Sequence, residues 1–266
     1  MNAESKPLSQ RIHQQLLELN GQAGNRKSLV VEGGQGYVVF SSTQQDRWHV
    51  QVAGGRQLPD GFKISPEDYQ RLADWGVRQK RGSGNFRGDL SQVLLDQTLG
   101  RWAEQAVTAL TGIYGAQMNA IEVRTRCEEV EVLDNKGLLD AMEHLARKRD
   151  WAARTGVYMK LVKARLVLAL AEPVSGSISS SWPLHKASEM AARPVPAIFT
   201  SVDFLDEFEP RGLESRVVSG MDLFPILVAK KVPSVLINPG SKPRGELYSN
   251  ELWTIVEGIK RLSGTH

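Results

Sequence analysis

The spacing of apolar residues near the N-terminus predicts a helix followed by an antiparallel meander. Apolar side chains recur at helical intervals between Leu8 and Leu19, and glycines at 21 and 24 end this pattern. Three short runs of strand-forming residues follow at 28–32, 37–41 and 48–53. Turn residues, including Gly33-Gly34-Gln35-Gly36, separate these runs, which is the arrangement expected of consecutive antiparallel strands.

Two helices are predicted beyond the meander. Ser65-Pro66-Glu67-Asp68 combines an N-cap residue, a proline at the first helical position and acidic residues in the first turn, which predicts a short helix through Trp75. Apolar residues at intervals of three and four predict a longer helix from Leu90 to Tyr114. The helical period is then lost, and the partial alternation at 122–132 predicts an edge strand or an extended connector.

Helices and strands alternate in the rest of the chain. The pattern predicts helices at 137–149, 150–163, 203–207, 221–229 and 250–262, and strands at 166–170, 197–200, 216–219 and 235–238. The serine-rich segment 173–194 is predicted to be a mobile excursion, because its composition can bury little surface. We therefore expect an α+β protein with domains at 1–118 and 137–266 and a linker at 119–136.

Composition places the chain among soluble globular proteins. Its 266 residues are 41% hydrophobic and 24% charged, and no apolar run approaches the roughly 18 to 20 residues of a membrane span. The stretch Met1–Pro7 has no apolar signal-peptide core, which predicts a cytoplasmic location. Cys127 is the single cysteine, and its acidic neighbours do not favour a reactive thiolate.

The sequence contains no arrangement that indicates catalysis, a metal site or a cofactor. The five histidines lack the spacing of a metal-binding pair. Gly33-Gly34-Gln35-Gly36 joins two predicted strands and is not followed by the lysine of a phosphate loop. Acidic pairs such as Asp206-Glu207, and the serines at 179–181, have no partner set for acid–base or nucleophilic chemistry. We therefore expect a non-enzymatic protein.

Two alternatives remain open at this stage. The basic, glycine-rich stretch 78–88 offers Arg78, Lys80, Arg81 and Arg87 as phosphate contacts for nucleic acid, although it also has the composition of a solvated loop. A small-molecule-binding protein or an enzyme would use a pocket at the ends of two predicted strands. That pocket would bring together Ser201, Asp222 and Asn238.

The six tryptophans separate into two predicted groups. Those at 48, 75, 102, 151 and 253 occupy helical or strand positions that should be core. Trp182 lies instead in the serine-rich segment beside Pro183, which suggests an exposed aromatic anchor for a partner protein.

The second half of the chain resembles an SseB-type domain. The resemblance rests on Pro196-Ala197-Ile198-Phe199-Thr200-Ser201, on Gly220-Met221-Asp222-Leu223 and on Leu236-Ile237-Asn238-Pro239-Gly240. It implies a mixed α/β domain of a kind that often accompanies bacterial secretion or toxin systems. It implies no catalytic residues.

The first half is similar to the TY-Chap group, relatives of type III secretion chaperones and YbjN-like proteins. The similarity rests on the order of the elements and on the turn Leu72-Ala73-Asp74-Trp75-Gly76. It implies an α+β sandwich, commonly a homodimer, that binds a segment of a partner along its sheet or helical face.

These features predict a protein-binding accessory or chaperone-like protein whose partner the sequence does not identify. An exposed sheet edge can accept an extended peptide through main-chain hydrogen bonds. The predicted contact residues are Trp48, Val50 and Val52 on one strand, together with Trp75 and Trp182.

Overall fold

The computed structural model describes residues 7–43, 47–79, 84–89, 96–187 and 193–264. The chain divides into two compact units, Met1–Val130 and Glu131–His266. Each unit combines one main sheet with helices. The predicted α+β class is therefore confirmed, whereas the assignment of domains at 1–118 and 137–266 with a linker at 119–136 stays a prediction.

Within its described residues, the first unit has three α-helices and one antiparallel sheet. The helices are α1 (Leu8–Gly21), α2 (Pro66–Trp75) and α3 (Asp96–Gly112), and the strands are β1 (Arg26–Gly33), β2 (Gly36–Thr43), β3 (Arg47–Val52), β4 (Arg78–Gln79), β5 (Phe86–Asp89) and β6 (Glu122–Glu128). The strand order is β4-β5-β3-β2-β1-β6. The stretch 122–128 is thus an edge strand, one of the two possibilities that its alternation predicted.

The central strands of this sheet are buried on both faces. Ile12 and Leu16 of α1 and Ala106 of α3 are buried in one cluster with Val31 and Phe40 of the sheet. Val30 and Val39 point to the opposite face, because successive strand residues alternate, and they are buried as well. The predicted burial of the tryptophans at 48, 75 and 102 is confirmed.

Local sequence signals fix the ends of α2. The Ser65 hydroxyl accepts a hydrogen bond from the Asp68 backbone N–H at 3.1 Å, as the N-cap interpretation requires. Gly76 ends the helix in the left-handed region with a φ of 94°, a conformation that residues with a Cβ adopt at a cost. These two caps fix where α2 begins and ends, and therefore where Trp75, its last residue, lies.

The described part of the second unit forms five α-helices and one mixed sheet. The helices are α4 (Lys136–Lys148), α5 (Trp151–Lys163), α6 (Val202–Phe208), α7 (Gly220–Ala229) and α8 (Ser249–Leu262), and the strands are β7 (Arg165–Leu170), β8 (Lys186–Ala187), β9 (Val195–Phe199), β10 (Glu214–Ser219), β11 (Ser234–Ile237) and β12 (Gly245–Tyr248). The order is β10-β7-β9-β11-β12, with β8 also paired to β9. Only β9 and β11 run parallel among the described pairs.

The serine-rich segment differs from its prediction. The side chain of Trp182 is buried in the core of the second unit, so it is not an exposed anchor. The backbone around it is tied to β7, because Ala171 N–H donates to the Pro183 carbonyl and His185 N–H donates to the Ala169 carbonyl. These long-range bonds order the described part of the segment, an effect that local composition cannot reveal.

Trp151 and Trp253 also differ from their prediction, because both are exposed and not core. Each lies on an outer row of its helix, while Val157 and Leu161 of α5 and Ile255 of α8 face the core. Helical periodicity therefore placed them correctly on helices but not on the buried side.

Candidate functional site

The strand predicted to bind peptide is an inner strand of the first sheet. β3 pairs with β2 on one side and with β5 on the other. Its backbone groups between Trp48 and Val52 are therefore not a free sheet edge, and its side chains at 48, 50 and 52 are buried. A peptide cannot extend the sheet at this strand unless β5 is displaced.

A concave groove between α2 and α3 contains Trp75, one of the predicted contact residues. We call it the α2–α3 groove. Its volume is about 310 Å³, and it is lined by Arg71, Leu72, Asp74, Trp75, Gln105, Thr108, Ala109, Gly112 and Ile113. The floor is formed by Leu72, Trp75 and Ala109, which are buried.

Two polar atoms of the groove residues have unused hydrogen-bonding capacity. The Nε1–H of Trp75 and the Oε1 of Gln105 are buried, and neither has a hydrogen-bond partner. The indole is held in place by the ring of Trp102, whose centroid lies 5.2 Å away at an interplanar angle of 48°. A buried donor and a buried acceptor without partners are costly in the free protein. A ligand that satisfies both after a small movement of the two side chains exposes them would therefore gain affinity.

The other polar groups around the α2–α3 groove are engaged within the protein. The Arg71 guanidinium donates to Asp68 at 3.0 Å, and Asp74 accepts from the Gln70 amide at 2.7 Å. The Thr108 hydroxyl donates to the Glu104 carbonyl. The groove therefore offers an apolar floor, one donor and one acceptor, and it contains no arrangement of side chains suited to bond breaking.

Gln105 was not predicted as a site residue, although the sequence carries a signal for it. It lies three residues after Trp102 and four before Ala109, both of which are buried on the inner side of α3. A polar residue in an apolar row of a helix must either find a partner in the core or border a cavity. Propensity and periodicity alone do not distinguish these two outcomes.

The basic stretch is only partly described. Arg78 is exposed on the edge strand β4, and Arg87 lies opposite it on β5. The Nε of Arg87 is 3.8 Å from an oxygen of Asp89, so part of its charge is balanced locally. Lys80 and Arg81 lie outside the described residues, and the nucleic-acid alternative stays a prediction.

The residues of the predicted C-terminal pocket serve local structural roles. The Ser201 hydroxyl caps α6, and the Ser219 hydroxyl, which caps α7, also bonds to Asp222. The Asn238 side chain is fully buried and bonds to Thr200 and to the Pro243 carbonyl. The structure thus joins the ends of β9 and β11 through Thr200 and Asn238, and the convergence of all three predicted residues around a ligand stays a prediction.

Neither metal ligation nor membrane spanning is indicated by the part of the chain that the structure describes. Within it, histidine, cysteine and acidic side chains form no group of three or more that could hold a metal ion. The helices found there also lack the combination of length and apolar character needed to cross a bilayer.

Comparison with known protein families identifies a match in the first half of the chain. Residues 9–121 match TY-Chap3, the family described as T3SS (YopN, CesT) and YbjN peptide-binding chaperone 3. This match covers less than half of the chain but includes α1, α2 and α3 and therefore the whole α2–α3 groove. It supports a chaperone-like first part. No curated protein and no solved structure matches the chain, and the resemblance of the second half to SseB stays a prediction.

Proposed function

We propose that this protein is a cytoplasmic, non-enzymatic, chaperone-like protein that binds a peptide segment of another protein in the α2–α3 groove. The peptide-binding class of the family matched at 9–121 supports a protein partner and a link to secretion systems. The observation that carries the choice of surface is the unpartnered Nε1–H of Trp75 and Oε1 of Gln105 beside an apolar floor.

This combination suits one short stretch of polypeptide. Each backbone peptide unit carries one carbonyl acceptor and one N–H donor, which can satisfy the indole donor and the amide acceptor respectively. An adjacent apolar side chain would fill the space above Leu72 and Ala109. Backbone groups are present in every sequence, and they are available for binding only where a segment is extended or unfolded. Such recognition therefore depends more on the conformation of the segment than on its sequence.

The finer description of the protein belongs to the same proposal. The first domain, 1–118, would bind the client, and an SseB-like second domain, 137–266, would follow a linker at 119–136. The client would belong to a bacterial secretion or toxin system, and the chain would act as an accessory module without catalysis.

Gly112 provides a substitution that blocks the α2–α3 groove. This glycine ends α3 and lines the groove, and a Cβ placed on it meets nothing within 4 Å. We expect Gly112→Leu to weaken peptide binding at least about tenfold, because the new side chain occupies the space of the ligand's apolar group. The measurement is fluorescence anisotropy with peptides selected against the native chain from a random phage-displayed library.

Gly21→Leu is the matched control for this experiment. Gly21 also ends a helix, and its added Cβ also meets nothing within 4 Å, but it does not line the groove. Its peptide affinity should equal that of the native chain. Selected peptides that bind Gly112→Leu as tightly as the native chain would show that the groove is not the binding surface, and failure to select any peptide would contradict the proposed function.

Gln105 gives a second, independent prediction. Gln105→Met keeps most of the side-chain volume but removes the buried acceptor. We expect peptide affinity to fall about 3- to 10-fold, the effect of one lost hydrogen bond. The free protein should be as stable as the native protein or more stable, because an unpartnered polar atom has been removed. Urea titration of the free variant checks this, and a parallel loss of stability and affinity would indicate that Gln105 has only a structural role.

A further inference from the structure

A second groove lies in the part of the chain that no comparison matches. It runs between α5 and α8, and we call it the α5–α8 groove. Its volume is about 630 Å³, and its lining includes Trp151, Tyr158 and Met159 of α5 and Trp253, Gly258 and Leu262 of α8. It does not overlap the α2–α3 groove.

Large apolar side chains are exposed to solvent along the α5–α8 groove, although side chains of this kind are usually buried. Trp151 is 68% exposed, Met159 47%, Trp253 54% and Leu262 59%. Trp151 and Met159 lie eight residues apart on one row of α5, and Leu262 follows Thr254 and Gly258 on one row of α8. A contiguous exposed apolar surface of this kind marks an interaction site more often than a solvated face.

The floor of the groove is held in place by a buried polar network. The Glu251 carboxylate accepts hydrogen bonds from the Tyr158 hydroxyl at 2.6 Å and from Arg154 at 3.0 Å. Burial raises the pKa of Tyr158, so this hydroxyl keeps its proton at neutral pH. The network ties the start of α8 to α5, and the groove is therefore formed before any partner binds.

Gly258 leaves the middle of the groove open. It lies inside α8, where glycine is less favourable than alanine, and an added Cβ would meet nothing within 4 Å. The absence of a side chain lets the backbone of an occupant approach the helix closely. A concave, helix-lined surface with such a gap is complementary to a ridge of side chains on another helix.

The charges of the two helices favour an acidic occupant. Of the charged residues on the two helices, Arg261 and Glu257 line the groove, and Lys163 follows Met159 on the same row of α5. Lys260 donates to Glu257 at 2.7 Å and lowers its pKa, while Arg154 bonds to Glu251. Both carboxylates are thus balanced, and Arg261 and Lys163 form no ion pair within the described part of the chain.

We propose that the α5–α8 groove binds an amphipathic helix of a partner protein whose apolar row is flanked by acidic residues. A second copy of this chain fits less well, because a two-fold contact would place the same basic residues against each other. A flat membrane surface would not fill the concave space beside Gly258. The proposal does not depend on peptide binding in the α2–α3 groove.

The test uses three synthetic helical peptides of 18 residues. They share one row of leucine and tryptophan, and the flanking positions carry glutamate in the first peptide and lysine in the second, while the third is a scrambled form of the first. We expect the glutamate peptide to bind the native chain at least about tenfold more tightly than either other peptide, with an affinity that falls as salt is raised. Fluorescence anisotropy at two salt concentrations measures this.

Two glycine substitutions separate binding from folding. Gly258→Leu should weaken binding of the glutamate peptide at least about tenfold by filling the groove. Gly156→Leu is the matched control, because Gly156 lies inside α5, meets nothing within 4 Å and does not line the groove. Both variants should be at least as stable as the native chain, and Arg261→Glu should shift preference towards the lysine peptide.

Each other outcome would overturn the proposal. These outcomes are equal binding of all three peptides, no binding at all, or equal binding by the two glycine variants. Dimerisation of the native chain that Gly258→Leu abolishes would assign the groove to a second copy, and binding to anionic vesicles that Gly258→Leu abolishes would assign it to a membrane. Gly112→Leu, which blocks the α2–α3 groove, should still bind the glutamate peptide. A failure of the α5–α8 proposal can therefore be told apart from a failure of the proposed function.

Discussion

Replacing Gly220 with alanine should destabilise the second unit by about 3 kcal/mol or more. Gly220 is buried at the start of α7, and a Cβ placed on it would lie 1.9 Å from the carbonyl oxygen of Leu161 in α5. Real Cβ contacts are essentially never closer than 3.0 Å, so the two backbones would have to separate by about 1 Å. Close-packed interiors resist such displacement. The Gly220 N–H bond to the Ala164 carbonyl, 2.9 Å long, would be stretched as well.

Gly156→Ala is the control that makes this prediction specific. It is the same substitution in the same unit, but the added methyl group meets nothing within 4 Å inside α5. It should stabilise the unit by about 0.5–1 kcal/mol, so the two variants have effects of opposite sign. Hydrogen exchange of peptides from α5, α7 and β7, measured by mass spectrometry, reports the stability of this unit separately. Native-like protection in Gly220→Ala would show that the close backbone approach is not required.

Gly220→Ala should also change the α5–α8 groove, because α7 packs against both α5 and α8. If the alanine at 220 displaces α7 from α5, the spacing between the groove helices changes as well. We therefore expect Gly220→Ala to lose binding of the acidic helical peptide together with stability. Gly258→Leu should lose binding without losing stability, and this contrast separates damage to the fold from obstruction of the site.

Most helices could be predicted from the sequence because their signals are local. The N-cap at Ser65 with Pro66, and the left-handed C-cap at Gly76, define α2 without reference to any other part of the chain. The hairpin at Gly33-Gly34-Gln35-Gly36 is equally local, and it is confirmed by the pairing of Gly33 with Gly36. Elements of this kind depend on backbone preferences within a few residues.

The short strands could not be predicted in the same way. β4, β5 and β12 have two to four residues each, which is too few to show a period of two. β5 lies between β4 and β3, and its pairing with β3 joins residues more than thirty positions apart in the chain. This pairing also makes β3 an inner strand, so the predicted peptide-binding edge between Trp48 and Val52 depended on a contact that local sequence does not encode.

The candidate sites were predicted only in part, for a related reason. Periodicity identifies the helical row to which Trp151 or Trp253 belongs but not whether another helix covers that row. α5 carries apolar residues on two sides, with Val157 and Leu161 buried and Trp151 and Met159 exposed. An apolar residue on each side of a surface helix is the sequence signal for a binding face, but it becomes decisive only when the buried side is known.

Asn238→Ala should destabilise the second unit by about 3 kcal/mol, because two separate effects combine. The Asn238 side chain has no exposed surface, and its Oδ1 accepts a hydrogen bond from the Thr200 backbone N–H at 2.8 Å. Its Nδ2 donates to the Pro243 carbonyl at 3.1 Å. Alanine would leave the buried Thr200 N–H and the partly buried Pro243 carbonyl without these partners. Asn238 also has a φ of 48°, in the left-handed region that alanine adopts less readily than asparagine.

Asn238→Gly separates the two effects. Glycine adopts the left-handed conformation without strain but supplies no hydrogen bonds, so it should cost about 1 kcal/mol less than alanine. If both variants are equally destabilised, the backbone conformation contributes little. If neither is destabilised, the bonds to Thr200 and Pro243 do not hold the ends of β9 and β11 together.

A double-mutant cycle with Thr200→Val tests the side-chain contact itself. Nδ2 of Asn238 donates to the Thr200 hydroxyl at 3.0 Å, and valine removes that acceptor while keeping a side chain of similar shape. Because the two residues are in direct contact, we expect a coupling energy of at least about 0.5 kcal/mol in urea titrations of the four proteins. Additive effects would mean that the hydroxyl is incidental and that, of the Asn238 side-chain bonds to Thr200, only the one to the backbone N–H contributes. Strong coupling would show that Asn238 is fixed by the fold, which leaves it no free polar atom for the ligand pocket that the sequence suggested.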